Sequence, residues 1–320
     1  MKIDLITPAP PASRAGNRIT ALRWAERLRE LGHEVAIRND AAPRAADLLI
    51  ALHAWRSAEA VRRFRKAHPR RPIVVALTGT DIHRFQVSHP GTTLGAMADA
   101  DRLVALHEKV AGKIPVRFHK RLRVIYQSAP VVPRWEMPRG GDVEICVIGH
   151  LREEKDPFRA ALAVRAVRYG SRLRVVHLGA AKSPEWASVA RHEMAHNPRY
   201  YWLGEVPGEV VRATLAQARA MVLSSVMEGG ANVLSEAIMA GLPVLASNIP
   251  GNVGLLGEDY PGYFPVGHTL ALRRLTARIE REPGFVRRLQ NAIRARQGLF
   301  TVAAERAGWR RLLAEFSPVG

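Results

Sequence analysis

Short apolar runs alternate with longer amphipathic stretches along almost the whole chain. The runs at residues 3–7, 34–37, 48–52, 73–77, 102–106 and 123–125 read as strands, and the stretches at 17–31, 58–67 and 92–98 read as helices. Strands that are apolar throughout, with helices between them, make a parallel sheet covered on both faces. A break follows at 130–138, where Pro130, Pro133 and Pro138 punctuate a polar stretch and disfavour helix. A second series then begins, with strands expected at 143–149, 172–178, 200–203, 221–223 and 243–246 and helices at 157–169, 208–218 and 233–240. Beyond Leu270 the chain is basic and helical, and 302–316 reads as a final amphipathic helix without a sheet partner. The expected α/β architecture is two doubly wound domains, 1–132 and 133–300, facing across a cleft, with a helix at 301–320 packing back on the first. Ligands of such sheets sit beyond the carboxyl ends of the strands.

Composition narrows the chemistry. The 320 residues are 47% hydrophobic and 24% charged, enough for two cores and contrary to disorder. The start of the chain, a strand followed by a Pro-rich turn, lacks the charged and apolar regions of an export signal, so a cytoplasmic protein is expected. No apolar run approaches the roughly 20 residues needed to cross a bilayer, so no membrane insertion is expected. Cys146 is the only cysteine; it lies in an apolar run and excludes an internal disulfide and a multi-thiolate metal site. The net charge of +19 favours anionic partners. The arginines are spread along helical stretches, however, and aromatics make up only 6% of residues, which argues against a base-stacking surface and nucleic-acid binding. Solvated arginine-rich helix faces are the ordinary reading of this charge, and a site for phosphorylated small molecules is the functional one.

The densest chemistry lies at 224–244. A strand ends near Leu223, a loop containing Gly229 and Gly230 follows, and a helix opens near Asn232. Glycines let backbone approach a ligand closely, and the helix start offers N–H groups and a positive dipole end to an anion. Glu228 lies in the loop and Glu236 one turn into the helix. Taken singly, each residue has an ordinary structural role open to it: a cap for Asn232, a dipole partner for Glu236, a turn for the glycines.

Taken together, the segment resembles the donor motif of the retaining GT-B glycosyltransferases of family four, in which two glutamates separated by seven residues precede Ala-Gly-x-Pro-Val. Glu228, Glu236 and the run Ala240-Gly241-Leu242-Pro243-Val244 match it. The resemblance implies a GT-B fold of two Rossmann-like domains, with Glu236 on the ribose hydroxyls, Glu228 beside the transferred sugar, and the amides of Gly230, Ala231, Asn232 and Val233 on sugar and phosphate. Gly149-His150-Leu151-Arg152-Glu153-Glu154-Lys155-Asp156-Pro157 resembles the family's phosphate-binding motif, which puts Lys155 on the diphosphate. His150 stands where the family usually has Arg, so His150 or Arg152 makes the second phosphate contact. The stretch Tyr201 to Val206 is similar to the family's strand and loop beside the nucleobase, which adds Val206 to the donor side. No metal and no cofactor are expected: the histidines show no ligand spacing, and Asp99-Ala100-Asp101 lies in a turn between a helix and a strand.

In that family the first domain binds the acceptor. Three loops after its strands supply Arg14, Gly16, Asn17 and Arg18; His53 and Arg56; and Thr78, Gly79, Thr80, Asp81 and His83. Helix capping by Asn17 and turn formation by Thr80 or Asp81 are the ordinary alternatives. With Thr7 to Pro10, Ser13 to Arg18, Leu52 to Ala54, Leu77 to Asp81 and Gly149 to Pro157, the chain resembles a narrower group, the selenosugar synthases of selenoneine biosynthesis.

That resemblance implies small-molecule substrates: a UDP-sugar, with UDP-N-acetylglucosamine preferred over UDP-glucose as the expectation, and selenophosphate. The product would carry selenium on the anomeric carbon, with release of UDP and phosphate. Selenophosphate is already an anion, so a general base for the transfer is optional, and Arg14, Arg18 and Arg56 suit its phosphoryl oxygens. Glu228, Lys155, His53 and Asp81 are the catalytic candidates, and His53, Asp81 or His83 the candidates for removing the phosphoryl group. The sequence sets no oligomeric state. The competing expectations are an ordinary family-four enzyme with an oxygen acceptor and a binder of nucleotide-sugar or nucleic acid without turnover.

Overall fold

The computed structural model describes residues 1–13, 15–133 and 141–316. The chain divides into two compact units: Met1–Ser128 with Glu228–Asn232 and Leu299–Gly320, and Ala129–Met227 with Val233–Gly298. The proline-marked break at 130–138 lies partly outside the described residues.

The first unit contains strands β1 (Lys2–Ile6), β2 (Glu34–Arg38), β3 (Leu48–Leu52), β4 (Ile73–Leu77), β5 (Arg102–Ala105) and β6 (Leu122–Val124), and helices α1 (Gly16–Glu30), α2 (Ala58–Ala67), α3 (Gln86–Ser88) and α4 (Pro90–Asp99). The strands form one parallel sheet in the order β2-β1-β3-β4-β5-β6. Central β3 and β4 are buried along their full length, because helices cover both faces. Side chains alternate between those faces. Leu49, Ala51, Val75 and Leu77 pack with Phe64 of α2 and Met97 of α4, whereas Leu5, Ile50 and Leu52 pack with Trp24 and Leu28 of α1.

The second unit holds β7 (Val143–Ile148), α5 (Arg159–Arg165), β8 (Leu173–Leu178), α6 (Pro184–His196), β9 (Tyr200–Trp202), α7 (Gly208–Gln217), β10 (Ala220–Leu223), α8 (Asn232–Met239), β11 (Val244–Ser247), α9 (Pro250–Leu256), β12 (Tyr263–Phe264), α10 (Thr269–Arg281) and α11 (Pro283–Arg296), with Asn232 itself counted in the first. Its sheet is also parallel, ordered β12-β11-β10-β7-β8-β9. The helix expected at 157–169 is shorter, because Asp156 takes a left-handed conformation (φ 43°) before it and the chain leaves helical geometry at Ala166.

Among the described residues no strand follows the last helix, α12 (Val302–Ala314), but it does have a place in the first unit. Trp309 meets Trp24 edge to face at 4.8 Å, and Trp309, Leu312 and Leu313 complete the core over β1 and β3. Trp24 Nε1 donates to Glu305 at 3.1 Å, and Ser128 Oγ donates to the same carboxylate. Among the described residues no helix is long and apolar enough to cross a membrane.

Candidate functional site

In the second unit, the loops after β7, β8 and β10 are tied together at the carboxyl ends of those strands. Ser224 Oγ donates to the carbonyls of Lys155 (3.1 Å) and Asp156 (2.9 Å), and Val226 N donates to Glu154 O at 2.9 Å. These bonds join the 149–157 loop to the start of the 224–236 segment. A pocket lined by Gly149, Lys155, His177, Ser224 and Ser225 lies at this junction.

His177, which the sequence reading missed, braces the same loop. Its Nε2–H donates to Gly149 O (3.0 Å) and its Nδ1 accepts from the Tyr200 hydroxyl (3.0 Å), while burial pushes the imidazole down to about 4. A histidine in the otherwise apolar run of β8 was the available signal. Gly179 N donates to Gly204 O, and Trp202 Nε1 to Gly179 O, which brings the 204–206 loop with half-buried Val206 to the same end of the sheet.

His150 Nδ1 accepts from Ala180 N at 3.2 Å, so its proton resides on Nε2. Burial, reinforced by Lys182 and Arg152, lowers its pKa to about 4. At neutral pH it is therefore an uncharged N–H donor, unlike the arginine usual at that place in the resembled motif. Arg152 sits at 3.9 Å from Glu154, a loose pairing, and its Nε has no hydrogen-bond partner among the described residues. Glu236 and Val233 are half-buried in the first turns of α8.

The segment Glu228–Asn232 is counted with the first unit, and its contacts there explain its glycines. A Cβ on Gly229 would lie 2.3 Å from the carbonyl carbon and oxygen of Thr78, and Gly230 has φ 134° with Leu106 beside it. Buried Ala231 follows. Asn232 does not use its side chain as a cap: its Oδ1 accepts from Arg23 Nη1 at 2.9 Å, and its Nδ2 reaches Gly16 O at 3.5 Å. Arg23, on α1, left no mark in the sequence that would have singled it out.

Above the first sheet, Asp81 is completely buried, and its two oxygens accept from the backbone N–H groups of Ala54 (3.1 Å), Thr78 (3.0 Å), Gly79 (2.7 Å) and Ile82 (3.1 Å). His53 has an unusual positive φ of 75°. Its Nδ1 accepts from Arg56 N at 3.2 Å, so Nε2–H donates to Thr80 Oγ1 at 2.9 Å, and burial depresses its pKa. His83 Nε2 donates to Glu228 O at 3.2 Å and is also held neutral by burial. Trp55 stacks on Phe85 at 3.9 Å with the rings nearly parallel.

Of the remaining acceptor-side residues, Gly16 and Asn17 open α1. The cap position is Ala15, and Asn17 makes no side-chain cap bond; its carbonyl accepts from Thr7 Oγ1 at 3.3 Å. Arg18 is half-buried and Arg56 exposed, while Arg14 lies outside the described residues. Asp101 accepts from Ile73 N and Arg65, the geometry of a structural turn. No cluster of three potential metal ligands occurs among the described residues.

The family described as glycosyl transferases group 1 matches residues 135–296. The fold is similar to sucrose-phosphate synthase from Thermosynechococcus elongatus, with a TM-score of 0.80 at 16% identity over 98% of each chain. It is similar also to Anabaena HepE in complex with UDP and glucose (TM-score 0.76, 16% identity, 98% of this chain and 100% of that one) and in complex with UDP-glucose (TM-score 0.78, 15% identity, the same coverage). A search of curated protein sequences finds no match. Two parallel α/β domains of six strands each, with these likenesses, define a GT-B fold.

Proposed function

This chain belongs to the group 1 glycosyltransferases, and we propose that it moves the sugar of a UDP-sugar, first among them UDP-N-acetylglucosamine, onto the selenium of selenophosphate. The donor half of this reading draws support from HepE, which was solved with UDP and with UDP-glucose. Here Lys155 and the first amides of α8 hold the diphosphate, with Gly230, Ala231, Asn232 and Val233 lining its path. His150 adds a neutral N–H, Arg152 a second cation, Glu236 the ribose contact and Val206 an apolar edge for the base. Glu228 lies by the sugar.

The observation that carries the acceptor half is the commitment of Asp81. The loops at 8–18, 53–57 and 78–83 contain no other carboxylate, and four backbone N–H groups occupy this one. Such loops leave no carboxylate to deprotonate a hydroxyl and, among the described residues, His83 as the one uncommitted base, and they carry three arginines, Arg14, Arg18 and Arg56, which suit a nucleophile that arrives as an anion. Asp81, with Thr78, Gly79 and Thr80, is then a positioning residue, and His53 acts through Thr80. In the transfer, selenium bonds to the anomeric carbon as the bond to UDP breaks, and Lys155 and the α8 amides stabilise the leaving diphosphate.

The test is incubation with selenophosphate and either UDP-N-acetylglucosamine or UDP-glucose, followed by mass spectrometry for the selenium isotope pattern. UDP and a selenium-bearing sugar should appear together. UDP release with alcohols but never with selenophosphate would leave the transferase and remove selenium from the proposal.

A further inference from the structure

We propose that His83 is the base that activates water to remove the phosphoryl group left on selenium after transfer, an inference that rests on the selenophosphate reading above. Transfer through selenium leaves a Se–P bond, and release of the selenosugar requires a water to attack phosphorus. A group that takes the water's proton must have a lone pair to spare and must stand close to the transferred sugar.

Hydrogen bonding separates the three residues that could serve. Asp81 gives its oxygens to four backbone N–H groups. His53 gives Nδ1 to the Arg56 amide and Nε2–H to Thr80. His83 alone of the three commits one nitrogen only. Its partner, Glu228 O, is a carbonyl and can only accept, so the His83 proton is fixed on Nε2 and the lone pair is fixed on Nδ1. No hydrogen bond engages that Nδ1 among the described residues. Burial keeps the ring neutral at pH 7, the protonation state a base needs.

Position agrees with protonation. The imidazole is one hydrogen bond from the backbone of Glu228, the residue assigned to the transferred sugar, so it stands near the carbon that acquires selenium. It is carried on residues 81–85, wound as a π-helix, a winding found often at functional sites because it displaces one side chain from the regular helical path.

The step balances without a further reagent. The water oxygen bonds to phosphorus as the P–Se bond breaks, the bonding pair stays on selenium as a selenolate, and one proton passes to His83 Nδ1. Phosphate leaves as the hydrogenphosphate dianion, and the imidazolium then returns its proton to solvent.

The experiment compares wild type with His83→Gln, whose carboxamide can still donate to Glu228 O but has no basic nitrogen. UDP-N-acetylglucosamine and selenophosphate are supplied, and initial rates of UDP and phosphate formation are read from the same reaction by phosphorus NMR. Wild type should release one phosphate for each UDP. In the variant, phosphate should lag about 100-fold behind, the typical worth of a general base, while a phosphoselenosugar accumulates. Because phosphate is measured against UDP, a partly misfolded preparation gives the same ratio. His83→Asn serves as a second variant and should show the same lag. Phosphate that keeps pace with UDP in both variants overturns the role of His83. A wild-type enzyme that makes no selenium-bearing sugar overturns the function reading instead, and is recognised before either variant is examined.

Discussion

The loops above the two sheets are held in place by different means. Above the first sheet, polar side chains turn onto backbone: Asp81 gathers four N–H groups and His53 bridges Arg56 N to Thr80. Above the second, side chains hold backbone mostly by donating to carbonyls: Ser224 to those of Lys155 and Asp156, His177 to that of Gly149 and Trp202 to that of Gly179, while His150 accepts from Ala180 N. Side chains spent on holding a loop are not available to a ligand. The first set of loops therefore spends its own Asp81 and His53 on its shape, whereas the second is braced largely from outside the 149–157 loop, by His177, Trp202 and Ser224, with His150 the motif side chain that takes part.

The largest effect expected from this contrast is on acid stability, and it tests whether buried neutral imidazoles support both units. His107 in the first unit and His150 and His177 in the second are each pushed down to about 4 by burial. Unfolded, they bind protons near 6.5, so the unfolded chain binds more protons in the interval between. Stability is fully present above pH 6.5 and drains as pH falls toward 4, by up to about 3 kcal/mol each for His107 and His177 and less for His150. Urea midpoints measured across that window check the sign. A midpoint rising on acidification would contradict it.

Asp81→Asn comes next. The amide keeps one acceptor oxygen and turns an NH2 toward N–H groups that need acceptors, at a cost of about 3 kcal/mol. Thermal unfolding should show the loss, and KM for selenophosphate should rise while UDP affinity holds. Weakened UDP binding would mean that the two sets of loops are less independent than their bonding suggests. The smallest effect is expected for Glu236→Ala, which should weaken UDP binding by roughly 1.5 to 3 kcal/mol, the typical worth of a hydrogen bond to a charged group. Titration calorimetry with UDP would show it, and unchanged affinity would remove the ribose role.

Strands were the most legible part of the chain, because doubly covered strands are apolar at every position. The runs at 48–52 and 73–77 coincide with β3 and β4. Helices α6 and α9 were not legible: α6 is largely polar with few buried positions, and α9 carries Gly251 and Gly254 in seven residues, so neither shows a helical apolar stripe. The donor segment was read as a motif. The ties that decide what each side chain can do were not: His53 with Thr80, His177 with Gly149 and Arg23 with Asn232 join residues 27, 28 and 209 positions apart, and such pairs leave no periodic trace.

The packing of Trp309 on Trp24 has a consequence for the order of synthesis. A ribosome finishes β1 to β6 early and α1 covers part of the face over β1 and β3, yet that face is completed only when residues 302–314 have emerged, after the entire second unit. A chain cut short before those residues leaves Trp24, Leu5 and Ile50 with part of their packing missing, so its first unit keeps an apolar flank open to association.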